Sequence, residues 1–306
     1  MYFGSVRFYK HLILSCVALM IIVPTALAVY FGVQNYKNKN LAEEYKSHLA
    51  TDQLPQMEYL TGVDYTETIT VPTFEYQEKY PDMYVEKSAF KAADSEKPVV
   101  YLTFDDGPSA NTVKVLDTLK ANGIKATFFV VNTNIEAYQE LYKRIVDEGH
   151  TLGIHTYSHQ YTSIYNSVES YLDDFYKMFS KVYTLTGVKP TVFRFAGGSI
   201  NVYNQNMYTE LIAEMLRRGF TYYDWNVSSG DAGTTFTSAA IHNAVVTGAQ
   251  NKDRSIVLMH DSSTKAATAN ALQGIIDALK ETHEFRAIDN TVEPTVFTYK
   301  DNGIGG

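Results

Sequence analysis

The sequence predicts an α/β fold in which parallel strands alternate with helices and curl into a closed or nearly closed barrel. From residue 97 onward, short apolar runs rich in β-branched residues alternate seven times with longer segments of helical spacing. A helix between two strands carries the chain back across the sheet, which makes the strands parallel. No glycine-rich nucleotide loop follows any of these runs, so a nucleotide site is not supported. An open doubly wound sheet is the alternative arrangement.

The individual elements follow from the spacing of apolar residues. The run 99–104 has the composition of a buried strand, and in 112–122 the apolar Leu116 and Leu119 recur at helical spacing before Gly123. By the same reasoning, later strands are predicted at residues 126–131, 151–155, 191–195, 220–227, 255–259 and either 285–288 or 295–299. The later helices are predicted at residues 136–148, 168–186, 207–218, 238–251 and 266–281.

An uncharged apolar run precedes this fold at residues 12–33. At about 1.5 Å per residue it is long enough to cross a hydrocarbon core of roughly 30 Å. Arg7 and Lys10 favour a cytoplasmic N-terminus. Residues 1–33 are therefore predicted to be a cytoplasmic tail and transmembrane signal anchor, with the following domain extracellular in a single-pass protein of a bacterial cell membrane. The alternative is a signal peptide cleaved near Ala28, which would give a secreted protein.

Composition limits the compartment and the partners. Cys16 is the single cysteine, so no disulfide forms within the chain, as is common in exported bacterial proteins. Residues 1–33 hold two of the 26 basic residues and none of the 34 acidic ones, so the remainder is strongly acidic. That charge excludes nucleic acid as a partner, and no protein partner is implied. Residues 34–94 are predicted to be an extracellular stalk or accessory region, and residues 95–306 to be the catalytic domain.

Two clusters of metal-binding residue types follow predicted strands. Asp105 and Asp106 end the first strand. His155 and His159 follow the third strand four residues apart, a spacing that a helical turn brings together. In a parallel α/β fold the active residues collect at the C-terminal ends of the strands. Two histidines and one carboxylate can hold a cation while leaving positions for water and substrate, and the second carboxylate can then act as a base. In the alternative interpretation both acids cap the following helix.

Three further clusters lie at strand ends. Arg194 ends the fourth strand and can orient a carboxylate, and Gly197 allows backbone N–H groups to approach a ligand. Trp225, the single tryptophan, either walls a sugar pocket or belongs to the core. His260 ends an apolar strand, and pairing with an acid such as Asp231 would let it act as a general acid near neutral pH.

Together these clusters resemble the polysaccharide deacetylase family, carbohydrate esterase family 4, whose shared unit is the NodB-like domain. The resemblance covers residues 97–299, about two thirds of the chain, and depends on Thr-Phe-Asp-Asp-Gly with His-x-x-x-His downstream. It implies a distorted (β/α)7 barrel. The sequence departs from the family where Arg194-Phe195-Ala196 replaces a frequent Arg-x-Pro, and where Ala232 follows Asp231 in place of a frequent Trp. Both departures alter the pocket wall and put glycan specificity in question.

The resemblance implies a role for each of these side chains. The metal ligands are Asp106, His155 and His159. The residues of the chemistry are Asp105 as base, Arg194 as its orienting residue, His260 as general acid and Asp231 as the partner of that histidine. The residues that contact substrate are Gly197, through its N–H at the oxyanion, and Trp225. The implied cofactor is a divalent metal ion, with zinc first and cobalt or nickel as alternatives.

The implied activity is removal of N-acetyl groups from a cell-surface polysaccharide, which gives acetate and a free amino sugar. An anchored enzyme that faces outward meets the cell wall first, so N-acetylglucosamine of peptidoglycan is the predicted substrate. Exopolysaccharide or chitin-like chains and O-acetyl glycan esters are the alternatives. An inactive glycan-binding pseudoenzyme is the alternative outside the enzymes. It predicts loss of a metal ligand, the base or the general acid, and all of these are present.

Overall fold

Eight parallel strands form one curled sheet in the computed structural model, which describes residues 74–91, 94–233 and 236–297. The strands are β1 (Val99–Asp105), β2 (Thr127–Val130), β3 (Thr151–Ile154), β4 (Val192–Phe193), β5 (Thr221–Tyr222), β6 (Val227–Ser228), β7 (Arg254–His260) and β8 (Glu284–Phe285). They are arranged β5-β4-β3-β2-β1-β7-β6, with β8 beside the start of β1. This order is cyclic, as in a barrel, whereas a doubly wound sheet reverses direction at a switch point. The predicted α/β class with parallel strands is confirmed.

The two edges of the sheet are formed by one continuous segment of the chain. The segment predicted as a single strand, 220–227, is two short strands instead. β5 pairs with β4, and β6 pairs with β7 on the opposite edge. Between them the N–H of Tyr223 donates to Phe193 O and that of Asn226 donates to Ile256 O. The backbone thus changes partners within a few residues, and the sheet curls far enough for consecutive strands to lie at its two edges.

Eight helices occur within the described residues, and most follow the predicted spacing. They are α1 (Glu75–Glu78), α2 (Ala110–Ala121), α3 (Glu136–Asp147), α4 (Tyr161–Ile164), α5 (Val168–Thr186), α6 (Tyr208–Arg217), α7 (Ser238–Ala249) and α8 (Ala266–Leu279). Local sequence explains their ends. Ser167 accepts a hydrogen bond from the N–H of Ser170 at the start of α5, and Gly187 ends that helix with a φ of 73°. The predicted helix 168–186 is confirmed at both ends.

The alternation of side chains along β1 separates two apolar cores. Val100, Leu102 and Phe104 belong to the large cluster shared with the helices. Val99 and Tyr101 belong to a smaller cluster, and Asp105 lies on their side of the strand by its period of two. Burial of each large apolar side chain contributes roughly 1.5–3 kcal/mol to folding. The strand is buried along its whole length, so it is a rigid support for the acid at its end.

Residues 74–91 pack on the same unit as the sheet. Tyr76 and Met83 are buried. The fully buried Arg218 pairs with Glu214 at 2.6 Å and donates to the carbonyl oxygens of Tyr76 and Tyr80. A buried guanidinium that uses its donors in this way fixes the segment against α6.

Most of the predicted N-terminal organisation lies outside the described residues. The anchor predicted at 12–33 and the larger part of the region predicted as a stalk are among them. Within the residues that are described, no helix has the length and apolarity to traverse a bilayer. The division of the chain at residue 94 stays a prediction.

Candidate functional site

The side chains selected from the sequence converge at the C-terminal ends of the strands. A cavity of about 370 Å³ opens there. Seven of the nine predicted residues line it: Asp105, Asp106, His155, His159, Gly197, Trp225 and His260. The other two, Arg194 and Asp231, are buried and contact lining residues from behind. The cavity therefore has a polar floor that is held in place by buried charged groups.

One side of the cavity gathers three groups that suit a metal ion. The Oδ1 atom of Asp106 is 3.6 Å from Nε2 of His155 and 3.2 Å from Nε2 of His159. One ligand atom from each residue lies within 4.8 Å of the others. The same Oδ1 atom is buried and has no hydrogen-bond partner among the described residues. A buried carboxylate oxygen without a partner is costly unless a cation satisfies it, so the three residues fit a divalent ion.

The two histidines are brought together by a loop, and the helical turn expected for them is wrong. His159 has a φ of 54°, and its N–H donates to Thr156 Oγ1. The carboxylate of Asp174, on α5, accepts from the N–H groups of Tyr157 and Ser158. This distant acid holds the loop in a shape that places both imidazoles beside Asp106.

His155 is held in its neutral form with one nitrogen facing Asp106 and His159. Its Nδ1 lies 2.7 Å from the backbone oxygen of Arg194, which can only accept, so this nitrogen carries the proton. The lone pair of Nε2 is then available on the side of Asp106. Burial lowers the pKa of His155 to about 3, which keeps the ring uncharged at neutral pH.

Asp105 lies between the two sides of the cavity and is held by Arg194. Nη1 of Arg194 is 2.9 Å from Oδ1 of Asp105, and both residues are buried. The other guanidinium donors bind the backbone oxygens of Tyr223 and Asp224. Burial raises the pKa of Asp105, while the charge of Arg194 acts in the opposite direction. A carboxylate in this setting has a fixed orientation and an enhanced affinity for a proton.

The opposite side of the cavity carries His260 paired with Asp231. Nδ1 of His260 is 2.7 Å from Oδ1 of Asp231, and the backbone N–H of His260 donates to Oδ2 at 2.8 Å. Thr268 donates its hydroxyl to the same Oδ2. Burial alone would lower the pKa of His260, but the hydrogen bond with Asp231 and the charge of Asp105 raise it above its ordinary value. The imidazole is thus able to hold a proton near neutral pH.

Gly197 and Trp225 form part of the cavity wall. Gly197 has a φ of 78°, and a Cβ there would lie 2.8 Å from the ring of Tyr161, so the position requires glycine. Within the described part of the chain, its N–H has no acceptor. Trp225 is half-buried, lines the cavity and stacks edge-on against Phe297 at 4.8 Å. Trp225 thus lies at the cavity wall and also packs against the smaller apolar core, so its contact with a sugar stays a prediction.

Five lining residues were not selected as site residues from the sequence, and two of them, Tyr161 and Lys265, carry polar side-chain groups. The ring of Tyr161 lies edge-on to that of His159 at 5.2 Å, and burial raises the pKa of Tyr161 to about 12. Nζ of Lys265 donates to the backbone oxygen of Asp231. Only their closeness in sequence to His159 and His260 could have indicated that they line the cavity, because neither residue type is distinctive by itself.

Comparison with known proteins gives consistent results. The family described as polysaccharide deacetylase matches residues 92–216. A putative polysaccharide deacetylase of Bacillus subtilis, YheN, is 32% identical over 70% of this chain and 75% of its own length. A peptidoglycan-N-acetylglucosamine deacetylase of Bacillus cereus is 31% identical over 68% of this chain and 75% of its own.

Solved structures agree with these relatives. The catalytic domain of a peptidoglycan N-acetylglucosamine deacetylase from Eubacterium rectale is 34% identical, with a TM-score of 0.66, and the match covers 70% of this chain and 98% of that one. The polysaccharide deacetylase Bc1974 from Bacillus cereus is 30% identical, with a TM-score of 0.59, over 67% and 99% of the two chains. The curled parallel sheet described above is thus shared with deacetylase catalytic domains.

Proposed function

The chain belongs to the polysaccharide deacetylase family and is a hydrolase, and from this premise we propose that it is a metal-dependent N-deacetylase acting on N-acetylglucosamine of peptidoglycan. One observation carries the proposal: Asp106 and two histidine Nε2 atoms converge beside Asp105, a second carboxylate held by Arg194. That arrangement provides a cation site and a separate base in one cavity.

The residues that would hold the ion are Asp106, His155 and His159. Two imidazoles and one carboxylate favour zinc, and cobalt or nickel are the alternatives. When bound, such an ion supplies a Lewis acid that polarises the acetamide carbonyl and lowers the pKa of water. The lowered pKa of His155 keeps the ring neutral, as metal binding requires, because a protonated imidazole cannot act as a ligand.

Asp105 acts as the general base. Its carboxylate accepts a proton from the water that attacks the acetamide carbon, and Arg194 keeps the accepting group in place throughout. Burial raises the pKa of Asp105, which makes its carboxylate a stronger proton acceptor. Positioned proton transfer of this kind contributes typically 10²–10⁴-fold to the rate.

His260 acts as the general acid on the other side of the cavity. It donates a proton to the departing sugar nitrogen, and Asp231 supports the positive charge that the imidazole carries before that transfer. The N–H of Gly197 faces the developing oxyanion, where one good donor contributes roughly 3–4 kcal/mol. Trp225 bounds the space for the sugar. The products are acetate and a free amino sugar.

Peptidoglycan is proposed as the substrate for two reasons. Several relatives are named as peptidoglycan-N-acetylglucosamine deacetylases. In addition, residues 1–33 are proposed to anchor the enzyme in a bacterial cell membrane with residues 95–306 outside, after an extracellular region at 34–94. Protease accessibility on intact cells would test this topology, because protection of the C-terminal domain would contradict it.

Metal removal and readdition tests the function. The purified full-length protein is stripped with a chelator, and acetate release is measured on N-acetylglucosamine oligomers, peptidoglycan and an O-acetylated xylan before and after zinc or cobalt is restored. We expect activity to vanish on stripping and to return with the ion, with the N-acetyl substrates preferred. Activity that is indifferent to metal would contradict the mechanism. Binding of the glycans without any acetate release would favour a pseudoenzyme.

A further inference from the structure

A second groove lies on the described surface, and the chemistry proposed above does not use it. Its volume is about 420 Å³. It is formed by α1, by the start of α5 and by the loop before α6, and the residues that matter here are Tyr76, Tyr165, Glu169, Tyr203, Asn206 and Glu210. One exposed tyrosine above two buried ones, together with an amide and two carboxylates, can supply a flat apolar face and hydrogen bonds to a sugar.

Aromatic rings connect this groove with the active-site cavity. Tyr161 lines the cavity, and its ring centroid is 5.2 Å from that of His159 and 5.0 Å from that of Tyr203. Tyr203 lines the groove and is 51% exposed. Tyr165, also at the groove, is 6.2 Å from Tyr161. A polymer that leaves the cavity over Tyr161 therefore reaches the groove along a continuous aromatic surface.

The floor of the groove is fixed, while Tyr203 presents a free face. The hydroxyl of Tyr165 donates to Ala196 O at 2.7 Å, and that of Tyr76 donates to Oε1 of Glu210 at 2.7 Å. Both of these tyrosines are buried. A preformed floor lowers the ordering cost of binding.

The charge of the groove limits its occupant. Among the described residues that line it, Glu169 and Glu210 are charged, and none is a lysine, arginine or histidine. Like charges placed together on an interface are unfavourable, so an acidic sugar is disfavoured there.

We propose that this groove is a second glycan subsite, which binds a neutral sugar of the same polysaccharide strand beyond the unit that is deacetylated. The inference rests on the proposed function, because the strand must enter the active-site cavity. In this subsite the sugar stacks on the ring of Tyr203. The carboxylates of Glu169 and Glu210 disfavour acidic sugars.

The test compares short and long N-acetylglucosamine oligomers on the metal-loaded full-length protein. For Tyr203→Ala we expect the ratio of kcat/KM for the hexamer to that for the dimer to fall about fivefold, because one stacking contact is lost. Tyr203→Phe keeps the ring and should keep the ratio. Tyr183→Ala, an exposed tyrosine on α5 outside both cavities, is the matched control. An unchanged ratio in Tyr203→Ala would overturn the proposal.

Direct binding separates this inference from the proposed function. Calorimetric titration with the hexamer needs no turnover, so weaker binding by Tyr203→Ala than by Tyr183→Ala would support the subsite even if no acetate were released. Equal binding would refute it. In a second comparison, the double variant Glu169→Gln/Glu210→Gln should show a preference for a neutral over a uronic-acid hexamer that is about fivefold smaller. An unaltered preference would contradict the role of the two carboxylates.

Discussion

His155 and His260 occupy opposite sides of one cavity, and their pKa values are shifted in opposite directions. In each ring Nδ1 has a partner at 2.7 Å. The partner of His155 is the backbone oxygen of Arg194, which is neutral, and burial lowers the pKa of His155 to about 3. The partner of His260 is the carboxylate of Asp231, which together with the charge of Asp105 overcomes the effect of burial and raises the pKa of His260. The charge of the Nδ1 partner therefore contributes to the opposite pKa shifts of the two imidazoles, as the proposed ligand role of His155 and the proposed donor role of His260 require.

The sharpest test of this division is Asp105→Asn, because Asp105 lies between the two sides without belonging to the metal cluster. We expect kcat to fall about 1,000-fold, since the amide cannot accept the water proton. Zinc content, measured by elemental analysis, should not change. A loss of zinc would mean that the roles of Asp105 and Asp106 are exchanged.

Substitution of one histidine on each side should give equal losses of activity with different causes. We expect both His159→Gln and His260→Gln to lower kcat/KM about 100-fold. His159→Gln should lose zinc, and added zinc should restore part of its activity. His260→Gln should retain zinc and gain nothing from an excess. If both variants lost zinc, His260 would belong to the metal site and the contrast would be wrong.

Asp231→Asn replaces the charged partner of His260 with a neutral amide, so that both histidines then have a neutral Nδ1 partner. Without the carboxylate, burial lowers the pKa of His260, so less of the imidazole is protonated at neutral pH. We expect about a tenfold loss of kcat/KM there. The alkaline fall of activity, which occurs as His260 loses its proton, should move to lower pH. If the alkaline fall of activity stayed at the same pH in this variant, Asp231 would not control the pKa of His260.

The smallest expected effect concerns the hydroxyl that supports Asp231. Thr268→Val removes one hydrogen bond to Oδ2, a contribution of about 1 kcal/mol, so we expect a loss of activity of about fivefold or less. Thr268→Ser retains the hydroxyl and is the control. Steady-state kinetics on one oligomer distinguish the two variants, and an equal loss in both would point to packing of the methyl group as the cause.

Much of the fold was predictable because local sequence determines it. Ser167 and Gly187 define the ends of α5, and the apolar run of β7 ends at His260. The polar strand ends were informative because parallel strands place them together. The break between β5 and β6 was not predictable, since residues 220–227 form one aromatic and β-branched run, and its change of partner depends on the two edges of the sheet.

The part of the site that escaped sequence analysis depends on distant contacts. The loop of His155 and His159 takes its shape from Asp174, which lies on α5 and is not distinguished by its neighbours. Lys265 reaches the cavity because α8 begins beside Asp231. Spacing along the chain carries no information about such contacts.

Arg194 serves the two sides of the cavity with different atoms. Its guanidinium holds Asp105, and its backbone oxygen holds His155. A codon change can replace the first group, but every amino acid keeps the second. A substitution of Arg194 would therefore remove the group that orients Asp105 while leaving the acceptor of His155 Nδ1 in the chain, so the two sides of the cavity differ in how far they depend on the identity of this residue.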